Sequence, residues 1–163
     1  MTVRTLIRYP SSALATLCEP VTTFGSDLAA LQQDLVDTMR AAPGVGTTAA
    51  HIGVLQRIFV LELQPGKILT YINPEIVLTS TETIRHVEGS VSMPGLTEEV
   101  ERPRQVTVRF RDLAGAEHEE TADDFHAICI QHEIDQLDGV FWIKRLSKLK
   151  RDRLIRKWEK AQR

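Results

Sequence analysis

The sequence predicts a single α+β domain, covering residues 1–163, in which mostly antiparallel strands surround one buried helix. Apolar residues alternate along 105–115, as they do in a strand with one buried face. Apolar residues recur at helical spacing along 26–41 and again before the glycine at 139. The chain has 163 residues, of which 42% are hydrophobic, and this size and composition suit one globular domain.

The elements follow in an order typical of an α+β fold. The first predicted helix covers 26–41, with Ser26 as its N-cap, and a loop rich in glycine follows at 42–53. Three strands and a short return strand are then predicted at 54–63, 68–78, 105–115 and 117–121. The sequence therefore places its strands between two helical regions.

Two further helices are predicted in the last third of the chain. The first begins at Asp123 or Asp124 as N-cap and ends at Gly139. The second is amphipathic and runs from Ser147 to Gln162.

The first of these two helices carries an incomplete metal-binding motif. His132 and Glu133 are followed by Gln136, where the zinc motif His-Glu-x-x-His has its second histidine. Residues four apart share a helix face, so His132 and Gln136 are expected to point to one place. Cys129 falls in the same sector, where we expect a small buried residue beneath a pocket.

Charge and cysteine content exclude several classes of protein. The net charge of −2 does not suit a general binder of polyanions. Cys18 and Cys129 are too few for a disulfide framework, which fits a reducing, cytoplasmic location. The chain shows neither a signal-peptide pattern nor an apolar run of the roughly 20 residues that cross a membrane.

Three segments, in order, resemble the signature motifs of the peptide deformylases. GVGTTAAHIG at 44–53 resembles their glycine loop, EGSVSMPG at 88–95 their Glu-Gly-Cys-Leu-Ser strand, and QHEIDQLDG at 131–139 their His-Glu helix. The similarity extends over nearly the whole chain. It implies a peptide deformylase-like fold with the motif helix at its centre and a helix at the C-terminus.

The resemblance also implies a chemistry. Peptide deformylases remove the formyl group from new polypeptides with a divalent metal, usually iron or zinc. By position, Glu133 matches their general acid–base, His132 matches one metal ligand, and the Val91 N–H matches a donor to the oxyanion.

Three positions depart from the family pattern. Ser90 replaces the ligand cysteine, Gln136 replaces the second ligand histidine, and His51 replaces the oxyanion glutamine. A hydroxyl and an amide are weak ligands beside a thiolate and an imidazole. We therefore expect a metal at His132, Ser90 and Gln136 to bind weakly or not at all.

Three interpretations remain open from the sequence. The site is catalytically silent but still holds a peptide N-terminus or another small ligand. Alternatively, His51, His132 and Glu133 form a new metal site of two histidines and one carboxylate. In the third, Ser90 is a nucleophile with a histidine as its base.

The leading hypothesis is hydrolysis of an N-formyl or similar amide on a peptide-like substrate by the remodelled site. The alternative is a silent homologue that binds its ligand in the same groove. The residues expected to line this groove are Gly44, Val45, Gly46, Phe125 and Ile128.

The C-terminal segment is strongly basic. Residues 144–163 contain ten lysines and arginines and two acidic residues, a net charge of +8. Leu154, Ile155 and Trp158 form an apolar stripe, which predicts a docked helix with a solvated charged face. The family resemblance adds contact with the ribosome as an alternative. The oligomeric state is not predicted.

Overall fold

The computed structural model describes residues 2–163 as three helices and seven strands. The helices are α1 (Ser26–Ala41), α2 (Asp124–Leu137) and α3 (Lys148–Ala161). The strands are β1 (Gly46–Thr48), β2 (Ile58–Gln64), β3 (Lys67–Thr79), β4 (Thr83–Gly89), β5 (Thr97–Pro103), β6 (Gln105–Arg111) and β7 (Glu117–Asp123). Short 3₁₀ turns lie at Ser12–Ala15, Ala49–Ile52 and Trp142–Arg145.

The strands form two antiparallel sheets, which confirms the predicted α+β class. The larger sheet has the order β1-β2-β3-β6-β7, and the smaller one is the hairpin of β4 and β5. The turn after β4 carries Ser90 and Val91, so the smaller sheet delivers these residues to the site.

Two of the predicted boundaries were wrong. Gly25, not Ser26, is the N-cap of α1, in extended conformation and without a side-chain cap bond. The strand predicted from residue 54 begins at Ile58, because the preceding segment hydrogen-bonds to the N-terminal region instead. Arg57 N donates to Glu19 O at 2.9 Å, and Glu19 N donates to Leu55 O at the same distance. These partners are distant in sequence and invisible to local patterns.

Helix α2 is buried between the sheets and the N-terminal segment. Ile130, Ile134 and Leu137 pack into one core cluster with Phe59 and Tyr71 of the large sheet. Asp123 is its N-cap and Gly139 follows its end with φ of 76°, as the sequence predicts. A helix buried on most sides holds its polar residues in fixed positions, which is what a site requires.

Helix α3 packs against the N-terminal segment. Leu154 and Trp158 are buried, and the Trp158 indole Nε1–H donates to Tyr9 O at 3.2 Å. Ser147 caps the helix by accepting a hydrogen bond from Lys150 N, which confirms the predicted docked helix. Within residues 2–163, no helix has both the length and the apolar character needed to cross a membrane.

Candidate active site

A cavity of about 460 Å³ lies between the glycine loop, the end of β4 and the motif helix α2. We call it the main cavity. Its walls include all five residues predicted for the groove, together with other predicted site residues: Gly44, Val45, Gly46, His51, Ser90, Val91, Phe125, Ile128, Cys129, His132 and Glu133. The structure thus brings three sequence segments together around one space.

Glycine is required where the loop passes the motif helix. A Cβ at Gly46 would lie 2.8 Å from Leu61 Cδ2 and 3.2 Å from Glu133 Oε1. A Cβ at Gly44 would lie 3.1 Å from Val91 Cγ1. The backbone therefore lies directly against the Glu133 carboxylate, with no space for a side chain.

His132 is oriented by a buried ion pair. Its Nδ1 lies 2.8 Å from Glu88 Oε1, and Glu88 accepts two hydrogen bonds from Arg102 at 2.6 and 2.9 Å. Burial favours the protonated form of Glu88, but its bonds to Arg102 and His132 prevail and lower its pKa to about 2. Because Glu88 is ionised and only accepts, His132 Nδ1 must be the donor.

The ion pair continues from the cavity wall to the protein surface. Arg102 also donates to Asp135 at 2.8 Å, and Asp135 accepts a bidentate pair from Arg145 at 2.7 and 2.9 Å. A chain of four charged side chains, Glu88, Arg102, Asp135 and Arg145, therefore lies behind His132 and restricts its rotation.

His51 is a hydrogen-bond donor to the cavity. Its Nδ1 accepts from the Thr48 backbone N–H at 3.0 Å, and a backbone N–H can only donate. Burial, with a smaller contribution from the nearby His132, lowers the His51 pKa to about 3, so the ring is neutral. The single ring proton then lies on Nε2. This buried nitrogen has no partner among residues 2–163.

Glu133 presents the second unpartnered atom of the cavity. Its Oε2 is buried without a hydrogen bond in the described part of the chain, and its Oε1 lies 3.8 Å from His132 Nε2. Burial raises the Glu133 pKa to about 7, although the charge of His132 opposes this rise. Such a carboxyl can both take and release a proton near neutral pH.

Gln136 does not share the cavity with His132, contrary to expectation. Its side chain is buried outside the cavity lining, where Nε2 donates to Leu14 O at 2.8 Å. A buried carbonyl needs a donor, and the long Gln136 side chain supplies one. Gln136 therefore fixes the N-terminal 3₁₀ turn to the motif helix.

Ser90 lines the cavity but forms no hydrogen bond with a histidine within residues 2–163. Its Oγ accepts from Ser92 N at 3.0 Å. Nothing in this arrangement activates the hydroxyl, so the serine-nucleophile interpretation lacks its base.

The second interpretation, a metal site of His51, His132 and Glu133, finds no support in the geometry of the described residues. In the part of the chain that the structure describes, no three histidine, cysteine or acidic side chains form a group that could hold a metal. The predicted place of Cys129 beneath the pocket is confirmed, since it is buried and lines the cavity. Burial raises the Cys129 pKa to about 12, with Glu133 contributing, so a thiol stands there.

Sequence reasoning missed two contributors to the site. Thr48 binds both the backbone and the ring of His51 as a capping box, and the Thr-x-x-His spacing was the available signal. His86 lines the cavity and packs on Phe125, with ring centroids 5.1 Å apart. No local pattern indicates that pair, because the two residues come from different elements.

A helix with His132 and Glu133 beneath a cavity, enclosed by antiparallel sheets, defines the polypeptide deformylase class of fold. A model of the family Polypeptide deformylase matches residues 3–152. The chain belongs to the peptide deformylase family.

Individual relatives agree with this assignment. A peptide deformylase-like protein of Agrobacterium fabrum is 69% identical over 161 residues, which are 99% of this chain and 98% of that protein. A peptide deformylase of Afipia carboxidovorans is 44% identical over 165 residues, covering 99% and 96% of the two chains.

Solved structures agree as well. A peptide deformylase from Legionella pneumophila superposes with a TM-score of 0.93 and 36% identity, covering 99% of this chain and 96% of that one. A peptide deformylase from Ehrlichia chaffeensis in complex with actinonin gives 0.94 and 34%, covering 100% and 99%. The family normally uses a divalent metal.

Proposed function

We propose that this chain holds the N-acylated end of a peptide-like ligand in the main cavity and hydrolyses a formamide or similar small amide there. One observation carries the proposal: His51 Nε2 and Glu133 Oε2 are both buried, unpartnered among residues 2–163, and part of one cavity wall. Buried polar atoms are expected to find partners. An amide supplies both, since its carbonyl accepts from His51 and its N–H donates to Glu133.

The proposed oxygen site consists of two N–H groups. His51 Nε2–H is one, and its tautomer is fixed by Thr48. The Val91 backbone N–H is the other, and it forms no hydrogen bond to another group within residues 2–163. Donors held in place before the reaction stabilise an oxyanion more than flexible ones do.

Glu133 is the proposed acid–base. It takes a proton from a water molecule as the water oxygen bonds to the carbonyl carbon. The carbonyl oxygen becomes the oxyanion and accepts from His51 and Val91. Glu133 then gives the proton to the amide nitrogen as the C–N bond breaks, which leaves formate and a free amine.

The residues present do not fit the family metal. Gln136 directs its amide N–H at Leu14 O, Ser90 accepts from Ser92 N, and the Cys129 thiol keeps its proton near neutral pH. His132 is then the one strong neutral ligand, and a single imidazole does not hold a divalent ion in a cage.

The proposal is tested with formyl-Met peptides, assayed for free amine with and without added iron, cobalt or zinc. Slow hydrolysis that is independent of metal is expected, with a loss of at least about a hundredfold in Glu133→Gln. His51→Ala should lose more activity than His51→Gln, which retains an N–H donor. Full turnover that appears only with stoichiometric metal contradicts the proposal.

A second candidate is a binding protein without turnover. The neutral side chains of Ser90 and Gln136 favour it, because they activate neither water nor substrate. Wild type should then bind a formyl-Met peptide in titration calorimetry without releasing formate. Glu133→Gln should bind equally well, and His51→Ala should bind less tightly. Formate release that depends on Glu133 rules this candidate out.

A peptide-like ligand is further supported by the actinonin complex of the Ehrlichia relative.

Contact with the ribosome through α3 is a separate proposal, which rests on the exposed lysines and arginines of that helix. Because Leu154 and Trp158 are buried, deleting the helix would expose core residues. Co-sedimentation of Lys157→Glu/Lys160→Glu at increasing salt is therefore the better test. Unchanged binding in this variant contradicts the contact.

A further inference from the structure

A second cavity lies beside the N-terminal 3₁₀ turn (Ser12–Ala15). Its volume is about 560 Å³, and it shares no lining residue with the main cavity. Its walls come from the N-terminal segment, the 3₁₀ turn before α3, and α3 itself. They are mostly apolar: Tyr9, Pro10, Leu14, Ala15, Phe141, Ile143 and Ile155, with Ser11, Lys144 and Arg151.

The walls are fixed by contacts on three sides. The Tyr9 and Phe141 rings stack with centroids 5.4 Å apart. Leu14 is buried, and its carbonyl accepts the Gln136 amide N–H. Trp158 ties α3 to Tyr9 O. The shape of the cavity is therefore fixed by the fold, and its volume lies within the range of small-molecule sites.

Lys144 and Arg151 are the two cations that line the cavity. Neither Lys144 nor Arg151 forms a salt bridge within residues 2–163. Neighbouring lysines differ, since Lys148 pairs with Asp152 at 2.8 Å and Lys150 with Glu98 at 3.9 Å. The apolar pocket thus has a positively charged rim, in a C-terminal segment whose net charge is +8.

We propose that the second cavity binds a small anionic amphiphile, an unbranched alkyl chain that ends in a carboxylate. The alkyl chain packs against Leu14, Ile143 and Ile155, which removes its apolar surface from water. The carboxylate accepts hydrogen bonds from Arg151, whose planar guanidinium suits a carboxylate, with Lys144 beside it. A cationic or neutral head group would not form an ion pair with Arg151 or Lys144.

Dodecanoate is the probe, measured by titration calorimetry and by amide chemical shifts in ¹⁵N spectra of the full chain. We expect one molecule per chain, with shifts at Leu14, Ile143 and Ile155. Lys144→Met/Arg151→Met should weaken binding about five- to tenfold. The matched control Arg153→Met/Arg156→Met removes the same charge from exposed positions outside the cavity and should bind as wild type does.

The head group and the cavity are tested separately. Dodecanol should bind less tightly than dodecanoate, and equally in wild type and Lys144→Met/Arg151→Met. Ala15→Trp, at a solvent-exposed position of the wall, should fill the cavity and abolish binding while the melting temperature stays near that of wild type. The proposal is overturned if dodecanoate does not bind, if both double variants bind alike, or if the shifts fall on Val45 and Val87 at the main cavity.

Discussion

Glu88 accepts a hydrogen bond from His132 Nδ1 at 2.8 Å, which places a buried carboxylate directly behind the motif histidine. The Glu88 side chain and that of Arg102 are each only 4% exposed. Removing either charge therefore takes the bidentate partner from the other, so that Arg102 keeps only Asp135 and Glu88 keeps only His132. Much of the cavity wall depends on this pair.

Glu88→Ala should be strongly destabilising. Arg102 would lose two of its three hydrogen bonds and keep only Asp135, so the loss should approach the about 3–5 kcal/mol that breaking a buried ion pair costs. Urea unfolding measures the change. The control is Glu101→Ala, which breaks the exposed contact with Arg85 at 3.2 Å and should cost less than about 1 kcal/mol. Equal losses in the two variants would show that the buried pair contributes little.

Glu133→Gln should raise stability in a pH-dependent way. Burial raises the Glu133 pKa to about 7, whereas the pKa of this carboxyl in the unfolded chain is near the ordinary value of 4.5. The folded state therefore binds the extra proton between these values, and wild type loses stability as pH rises through this window. The melting temperature of Glu133→Gln relative to wild type should rise from about pH 4.5 to about pH 7 and then level off.

Glu62→Gln is the control for that titration. The hydrogen bond from Arg40 lowers the Glu62 pKa to about 2, and the Gly66 N–H contributes. Its titration lies below the tested window, so the difference from wild type should stay constant from about pH 5 to about pH 8. A flat profile for Glu133→Gln would show that the buried carboxyl is ionised throughout.

Gln136→Leu should be destabilising although it adds an apolar side chain. The Leu14 carbonyl would lose its donor inside the protein, which costs about 1–3 kcal/mol. Thermal unfolding followed by circular dichroism measures it. Gln64→Leu, at an exposed position, should change stability by less than about 0.5 kcal/mol. If Gln136→Leu is as stable as wild type, the hydrogen bond does not fix the N-terminal turn.

Gly46→Ala should damage the site directly. The added methyl would lie 2.8 Å from Leu61 Cδ2 and would displace the Glu133 carboxylate. We expect a loss of about 1–3 kcal/mol in stability and at least about tenfold in peptide hydrolysis or binding. Gly25→Ala is the control for hydrolysis and binding, because nothing lies within 4 Å of its added Cβ and the residue lies outside the main cavity. Normal activity in Gly46→Ala would mean that the loop moves away without consequence.

Most of the fold could be predicted from local patterns. The alternation in β6 and the apolar spacing of α1 and α2 survive in the structure because each element buries one face against a neighbour. The hairpin of β4 and β5 was not predicted as a pair. Its strands are rich in charged residues, and their pairing depends on register between segments separated in the chain.

The sequence predicted which residues belong to the site but not how they are arranged. Motif spacing identified His132 and Glu133, and both line the main cavity. Helical periodicity placed Gln136 beside them, but its flexible side chain turned to the Leu14 carbonyl, which lies 122 residues away in sequence. Periodicity fixes where a Cβ points and leaves the end of a long side chain free.

By itself, the sequence determined that this chain has the peptide deformylase architecture, and that a serine, a glutamine and a histidine occupy three positions of its site. Only the tertiary structure decided what those residues do. The Thr48 N–H makes His51 Nε2 a donor, and Glu88 orients His132. The Leu14 carbonyl accepts the amide N–H of Gln136. The physical reason is that the protonation and direction of a buried polar group depend on its partners, and folding brings those partners from distant parts of the chain.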